Sequence, residues 1–524
     1  MIQLLFWGAI LRFCQAGVAA IPTIMIGILV AAIFRVWLGP AGTRRLFGGS
    51  GMKSLFAAWL IGMLLPVCSL GVIPVAMELR RAKLSGGTIL AFALTAPLFN
   101  PISVLYGLTL SDPLVIITFS FCSLVIVTGC GWLWDRFFPT AETEDLEASE
   151  QIPEGWRRLL ATATFGLRQV TGPAMGYVIV GLLGVALLSA ILPYGSLQQS
   201  AEHDDPTAIL FMTAIAIPAY ATPMVAMVQL ASMFAHGNSV GAAFSLLALG
   251  AGANVGLIAW MTQSYGWSRT AAWFGLLIGI VVGLAYSVDG PLYPQGVEPA
   301  GHTHAFDGYC RPFSAGTANP ITATWTELTK KIAPHEKVAV MLFGVALLFA
   351  IGLRLADPQQ RLESWLRAAP PAAPQKFDRT IPGPVLGAIS LVGLVITSIA
   401  GCYLYYPPPH EIFEEMRAIN AEVIYGARTA HWEVAQHWIP IYDDWSRKLE
   451  VSQFLRSGEV EPYHQYKGQV FREYLERLEH AVEDEDQELA KELSSKVGAS
   501  YTRLRKSYLE PVPLSPAINA VNDP

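Results

Sequence analysis

Two groups of residues in this chain have the types and spacing to do chemistry. The first is His302, His304, Asp307 and Cys310, in the stretch GHTHAFDGYCRPF. Imidazole, carboxylate and thiolate side chains gathered within nine residues can ligate Zn(II) or copper. The His-x-His step suits an extended segment, where both rings share a face. The expectation is a transition-metal site at this loop; the plain alternative is a loop that is merely polar. The second group surrounds Cys68, in PVCSLGVIPV, with Pro66, Gly71 and Pro74 beside it. A thiol can meet a soft ligand, although most free cysteines are simply small buried residues. Asn100 in LTAPLFNPIS and Asn254 in LGAGANVGL add two amides inside apolar stretches. Each amide brings two donors and an acceptor that need partners. They can act as helix–helix glue or as the polar floor of a solute path.

These residues must be positioned by helices in a membrane. Only 15% of the 524 residues are charged, where a soluble domain carries about 25%, and the mean hydropathy is +0.41. A hydrocarbon core of about 30 Å takes roughly 20 apolar residues per helix. On that basis about ten transmembrane helices are expected, near 15–38, 53–78, 87–109, 113–134, 170–193, 207–233, 240–262, 270–288, 336–356 and 381–406. The predicted fold class is an all-α integral membrane protein with an internal duplication, a broken helix in each half and a soluble helical tail. The expected divisions are a first membrane repeat over 1–134, an acidic and amphipathic linker over 135–168 and a second repeat over 169–288. A His/Cys-containing loop over 289–335, two further spans over 336–406 and the tail over 407–524 complete the chain.

The duplication rests on register. Asn100 and Asn254 stand 154 residues apart (254 − 100), and so do Gly27 and Gly181, Gly87 and Gly241, and Ser85 and Ser239. Repeats of this kind build transporters, and interrupted helices at corresponding places point to the transport site. Pro66 to Pro74 interrupts the first half, and Pro218 and Pro223 in IPAYATPMV interrupt the second. Proline removes a backbone donor and clashes with the preceding turn. The freed groups must then find partners inside the protein or along a water-lined cavity. The predicted path therefore holds Cys68, Pro66, Gly71, Pro74, Asn100, Pro218, Pro223 and Asn254. Glu78, next to Arg80 and Arg81 at a helix end, reads as a surface residue.

Several function classes are disfavoured. The six cysteines form no CxxC pair, so neither a disulfide framework nor a structural zinc motif is expected. No GxxxxGKS/T loop is present, no basic stripe with interleaved aromatics suggests nucleic acid, and the spans show no nucleophile–base pair, so no enzyme is expected. The expected partners are the lipid bilayer, a small-molecule or ion substrate, and a protein partner for the tail.

The stretch PVCSLGVIPVAMELRRAKLSGGTILAFALTAPLFNPIS resembles the signature of the predicted permease family that includes YraQ-like proteins and organoarsenical efflux permeases. Cys68, Ser69, Gly71, Val72, Ile73, Pro74, Arg80, Arg81, Pro97, Asn100 and Pro101 carry the likeness, which extends over roughly 10–290. The family's second cysteine falls at Leu70 here, and one thiol cannot chelate a soft ion alone. The resemblance implies a multi-pass permease in a bacterial inner membrane, exporting a soft metal or metalloid species or a related small molecule. The rival expectation is a membrane-anchored metal-binding sensor or assembly factor, with its metal at the loop and the helices as scaffold.

Overall fold

The structure, a computed structural model, describes residues 2–49, 51–110, 112–139, 156–193, 195–294, 303, 305–313, 319–330, 332, 334–367 and 383–509. Every regular element among them is helical. The chain divides into a first unit reaching to Ile399 and a second unit that begins at Ala400 and also takes in Leu108–Leu110.

Five helices of the first unit are long and apolar enough to cross a membrane: Ile2–Leu46, Pro113–Phe137, Pro173–Ile191, Trp267–Asp289 and His335–Ala356. The sides of Pro113–Phe137 differ in the way a bilayer requires. On Pro113–Phe137 the large exposed residues are Leu114, Ile117, Phe121, Val125 and Trp132, on a stripe of helical period, while Val115, Phe119, Cys122, Ile126 and Cys130 are buried. An apolar stripe of this size would be a liability in water; in hydrocarbon it is the required surface. The protein is therefore a multi-pass membrane protein.

The segments expected as single spans over 53–78, 87–109, 207–233 and 240–262 are each a pair of short helices. Met52–Leu64 is followed by Val72–Arg81, and Gly86–Thr95 by Pro101–Leu110. Ala208–Ala216 is followed by Pro223–Ala235. Val240–Ser245 continues through a π-helical turn, Leu246–Ala251, and then bends by 56° into Val255–Tyr265. The local chemistry explains the boundaries. Pro101 and Pro223 occupy the first helical position of their segments, where no N–H is required. Asn100, Thr222 and Asn254 precede new helices and accept backbone N–H bonds with their side chains. Pro74 falls inside the first turn of Val72–Arg81 rather than in the break.

The same tie recurs 154 residues apart. The Asp135 carboxylate accepts from Ser85 Oγ and from the Gly87 N–H, each at 2.8 Å. Asp289 accepts from Ser239 Oγ and the Gly241 N–H, also at 2.8 Å. Each carboxylate, near the end of one long helix, thus binds the N-terminal turn of a broken pair, where the helix dipole favours an anion. The backbones touch beneath the tie. A Cβ on Gly87 would overlap the Gly131 carbonyl, and one on Gly241 would lie 2.6 Å from the Ala285 carbonyl.

Among the described residues four helices lie wholly in the second unit: Pro409–Arg428, Trp432–Ser457, Pro462–Glu483 and Gln487–Leu509. The links between them are three or four residues long, which forces neighbours antiparallel. Ile412, Met416, Val423, Tyr442, Phe471, Leu475, Leu493 and Val497 share one core. Inside it Glu450, 2% exposed, pairs with Arg472 at 2.6 Å. Gly468 leaves the room, since a Cβ there would overlap the Glu450 carboxylate.

Two substitutions check this account in the intact protein. Asp289→Ala leaves Ser239 and Gly241 without a charged acceptor, and is expected to lower unfolding stability by about 1.5–3 kcal/mol, measured by denaturant titration in detergent. Arg472→Met strands a buried carboxylate, and is expected to destabilise the tail bundle by about 3–5 kcal/mol, read as faster hydrogen exchange confined to residues 409–509.

Candidate substrate path

The four breaks meet in the buried middle of the first unit. They run over residues 65–71, 96–100, 217–222 and 252–254. Gly62, just before the first break, packs on Thr95 and Ala96 at the second, and Leu98 of the second packs on Gly252 of the fourth. The Ala221 N–H of the third break donates to the Gly250 carbonyl in the π turn at 3.3 Å. A Cβ on Gly181 would strike Leu70 of the first break and lie 2.9 Å from Asn254 Oδ1 of the fourth. Tyr220 of the third break interacts with the Cys68 side chain of the first. Four helix N-termini therefore start from one small region.

Cys68 sits at the unwound point with its thiol fully buried. Its sulfur lies 2.9 Å from Thr23 Oγ1 and accepts from the Gly71 N–H at 3.3 Å. The Thr23 hydroxyl also lies 2.9 Å from the Ala20 carbonyl, and donates to one or the other. The first helix runs hard against this break: a Cβ on Gly27 would overlap the Gly71 carbonyl, and one on Gly71 would lie 2.5 Å from the Thr23 carbonyl. Glycine is needed at both places for backbone approach rather than for an unusual dihedral angle.

The two asparagines do not behave alike. Asn100 and Ser103 bond reciprocally: Asn100 Oδ1 accepts from the Ser103 N–H at 2.9 Å, and Ser103 Oγ accepts from the Asn100 N–H at 3.1 Å. Asn254 Oδ1 accepts from the Leu257 N–H at 2.9 Å, but its Nδ2 has no partner among the described residues, although the residue is 1% exposed. Ser69 Oγ and the Tyr220 hydroxyl are likewise buried without a partner of normal geometry. A buried polar group left unpaired costs about 1–3 kcal/mol. Three of them cluster where the breaks meet, and all three can donate.

Pro66, Cys68, Gly71, Asn100 and Asn254 are thus brought together, and Pro218 and Pro223 flank Tyr220. Tyr220 and Thr23 were not singled out from the sequence, and Ser69 only as one of the residues that carry the family likeness. The available signal was Tyr220 between two prolines. Glu78 departs from the surface position expected for it. It is 8% exposed, with Arg35 Nη1 3.4 Å from both carboxylate oxygens and Arg81 at 3.9 Å. Arg35 reaches it from a π-helical turn, Phe34–Leu38, which widens the first helix.

In the proposed metal loop, His302 and His304 lie outside the described residues. Asp307 and Cys310 are described and are engaged elsewhere. Gln198 Nε2 donates to the Asp307 carboxylate at 3.3 Å, and Cys310 Sγ lies 3.8 Å from Ser196 Oγ. Burial pushes the Cys310 thiol up. Among the described residues no three His, Cys, Asp or Glu side chains are grouped as a metal would require. The described part of the segment folds inward. Phe306, Tyr309 and Cys310 are buried, and the Tyr309 hydroxyl donates to Gln229 Oε1 at 3.1 Å. Burial pushes Tyr309 up to about 12, against the lowering effect of Gln229, so it remains a donor at any physiological pH.

A family model described as a predicted permease matches residues 7–288, more than half of the chain. Over 93 residues the chain is 33% identical to UPF0718 protein YcgR of Bacillus subtilis, covering 17% of this chain and 31% of that protein. Over 90 residues it is 25% identical to a Streptococcus mutans protein named "Putative two-component membrane permease complex subunit", covering 17% and 30%. The matched stretch thus spans under a third of each of these relatives. No solved structure matches the chain. The matched residues take in all four breaks and both asparagines, and the chain belongs to the predicted permease family.

Proposed function

We propose that the region where the four breaks meet is the path of a small solute, and that the chain exports a soft metal or metalloid species or a chemically related small molecule. The observation that carries this reading is the set of Ser69 Oγ, the Tyr220 hydroxyl and Asn254 Nδ2 at the breaks, buried and without a hydrogen-bond partner of normal geometry among the described residues, with Tyr220 interacting with Cys68. Breaks in hydrocarbon are tolerated where the backbone is buried in protein or lines a cavity. Donors placed at such breaks suit a ligand that accepts hydrogen bonds, and a thiol beside them suits one with a soft centre. With leucine at position 70, Cys68 would hold such a centre singly, which favours a ligand that is bound and released in transit.

The matching Asp135 and Asp289 ties support reading the two halves as copies of one ancestral unit, each contributing two breaks. The family's description as a permease supports reading the activity as transport, and the cell membrane of a bacterium is the setting proposed for it.

Two measurements test the reading. In cells expressing the chain, resistance to trivalent arsenicals or soft metals should appear and should vanish with Cys68→Ser; unchanged sensitivity to all of them would remove the soft-ligand assignment. In proteoliposomes loaded with whichever solute gives resistance, Ser69→Ala and Tyr220→Phe should each slow flux about tenfold, equivalent to about 1.4 kcal/mol. Both leave the helix caps intact. Flux at the unaltered rate in both variants would move the path away from the breaks.

A further inference from the structure

The segment 305–313 follows the family-matched region, yet three of its residues are buried. Phe306 and Cys310 are 0% exposed and Tyr309 4%. Polar ties hold it from several helices. Gln229, on Pro223–Ala235 just after the third break, uses both ends of its amide on this segment alone: Nε2 donates to the Ala305 carbonyl at 3.0 Å and Oε1 accepts from Tyr309. Arg12 of the first helix donates to the carbonyls of Asp307 and Cys310 at 2.8 and 3.2 Å. Arg311 donates to the Ala190 and Ile191 carbonyls at 3.0 and 3.1 Å, at the C-terminal end of Pro173–Ile191, where a cation meets the negative end of the helix. Tyr309 is the residue of the segment whose side chain bonds Gln229, beyond the third break. It is close enough to act electrostatically on Tyr220, which in turn interacts with Cys68.

We propose that segment 305–313 is a resident plug of the path, that Tyr309 is its tip, and that the Tyr309–Gln229 hydrogen bond is the latch that keeps it seated over Cys68. A glutamine on an apolar helix is otherwise an expensive buried residue. Here its amide serves the segment and nothing else that the hydrogen bonds record. The ties are hydrogen bonds to side chains and helix-end carbonyls, so the segment can lift without breaking a helix. Solute moving past Cys68 then requires that Tyr309 withdraw from Tyr220. The inference rests on Cys68 lying in the path, but its test reads thiol access rather than flux, so the two can fail separately.

The test uses the full chain in membrane vesicles, treated with a small maleimide and read by peptide mass spectrometry. Cys122 and Cys130, buried in Pro113–Phe137, report global loosening in the same sample. Tyr309→Phe combined with Gln229→Leu should raise the modification rate of Cys68 at least tenfold while Cys122 and Cys130 stay slow. Tyr309→Phe alone, which keeps the ring and its packing, should raise it severalfold. If the double variant also exposes Cys122 and Cys130, the single variant decides, and an unchanged Cys68 rate in it overturns the plug. Faster modification of Cys310 with Cys68 unchanged would also overturn it, because the segment would then lift without uncovering the path.

Discussion

A backbone that leaves the helix inside hydrocarbon must find new partners for its N–H and C=O groups, and four such departures in one unit have to be solved together. Here bonding and packing between the breaks and their neighbours supply part of the answer. Ala221 donates to Gly250 in the π turn. Asn254 closes the start of one helix while standing against Gly181. Gly27 and Gly71 bring the first helix into backbone contact with the first break. The arrangement is collective: an isolated broken helix would be costly in lipid, whereas four meeting in one place shield one another. What remains unpaired is a small set of donors, and function is read from these.

The periphery keeps this centre in register. Asp135 and Asp289 tie the starts of two broken pairs to the ends of two continuous helices, through the same two kinds of donor. Glu78, held between Arg35 and Arg81, anchors the far end of Val72–Arg81 to the π turn of the first helix. A buried carboxylate facing two guanidinium groups has its charge compensated, and it fixes the helix that starts four residues after Cys68. The polar groups inside the apolar unit thus fall into two kinds. Asp135, Asp289 and Glu78, at helix ends, are paired and structural; Ser69, Tyr220 and Asn254, at the breaks, keep polar atoms without a partner of normal geometry.

Much of the candidate site was legible from residue types. Proline pairs marked two of the breaks because proline acts through local backbone geometry. The matched asparagines marked the other two positions, although not that the helices would stop there. A cap is visible only once the preceding residues are known to leave the helix, and LTAPLFN and LGAGAN are compatible with a continuous apolar span. Tyr220 and Gln229 were silent for a different reason. Their roles depend on neighbours about 80 to 150 residues away, Tyr309 and Cys68, and no periodicity reports such pairs. Glu78 was misplaced because its helix-end position with two adjacent arginines is also how a solvated turn looks. Its burial depends on Arg35, 43 residues earlier.

Composition and the spacing of apolar runs by themselves determined that this chain is helical and crosses a membrane several times, since low charge and 20-residue apolar stretches have few other physical outcomes. Local chemistry determined where helices could stop. Only the tertiary structure decided that the stops coincide in space, that residues 305–313 are folded in beside one of them, and which polar groups are left without partners. Those are statements about distances between residues far apart in the chain. They are set by packing across the whole unit rather than by any one segment.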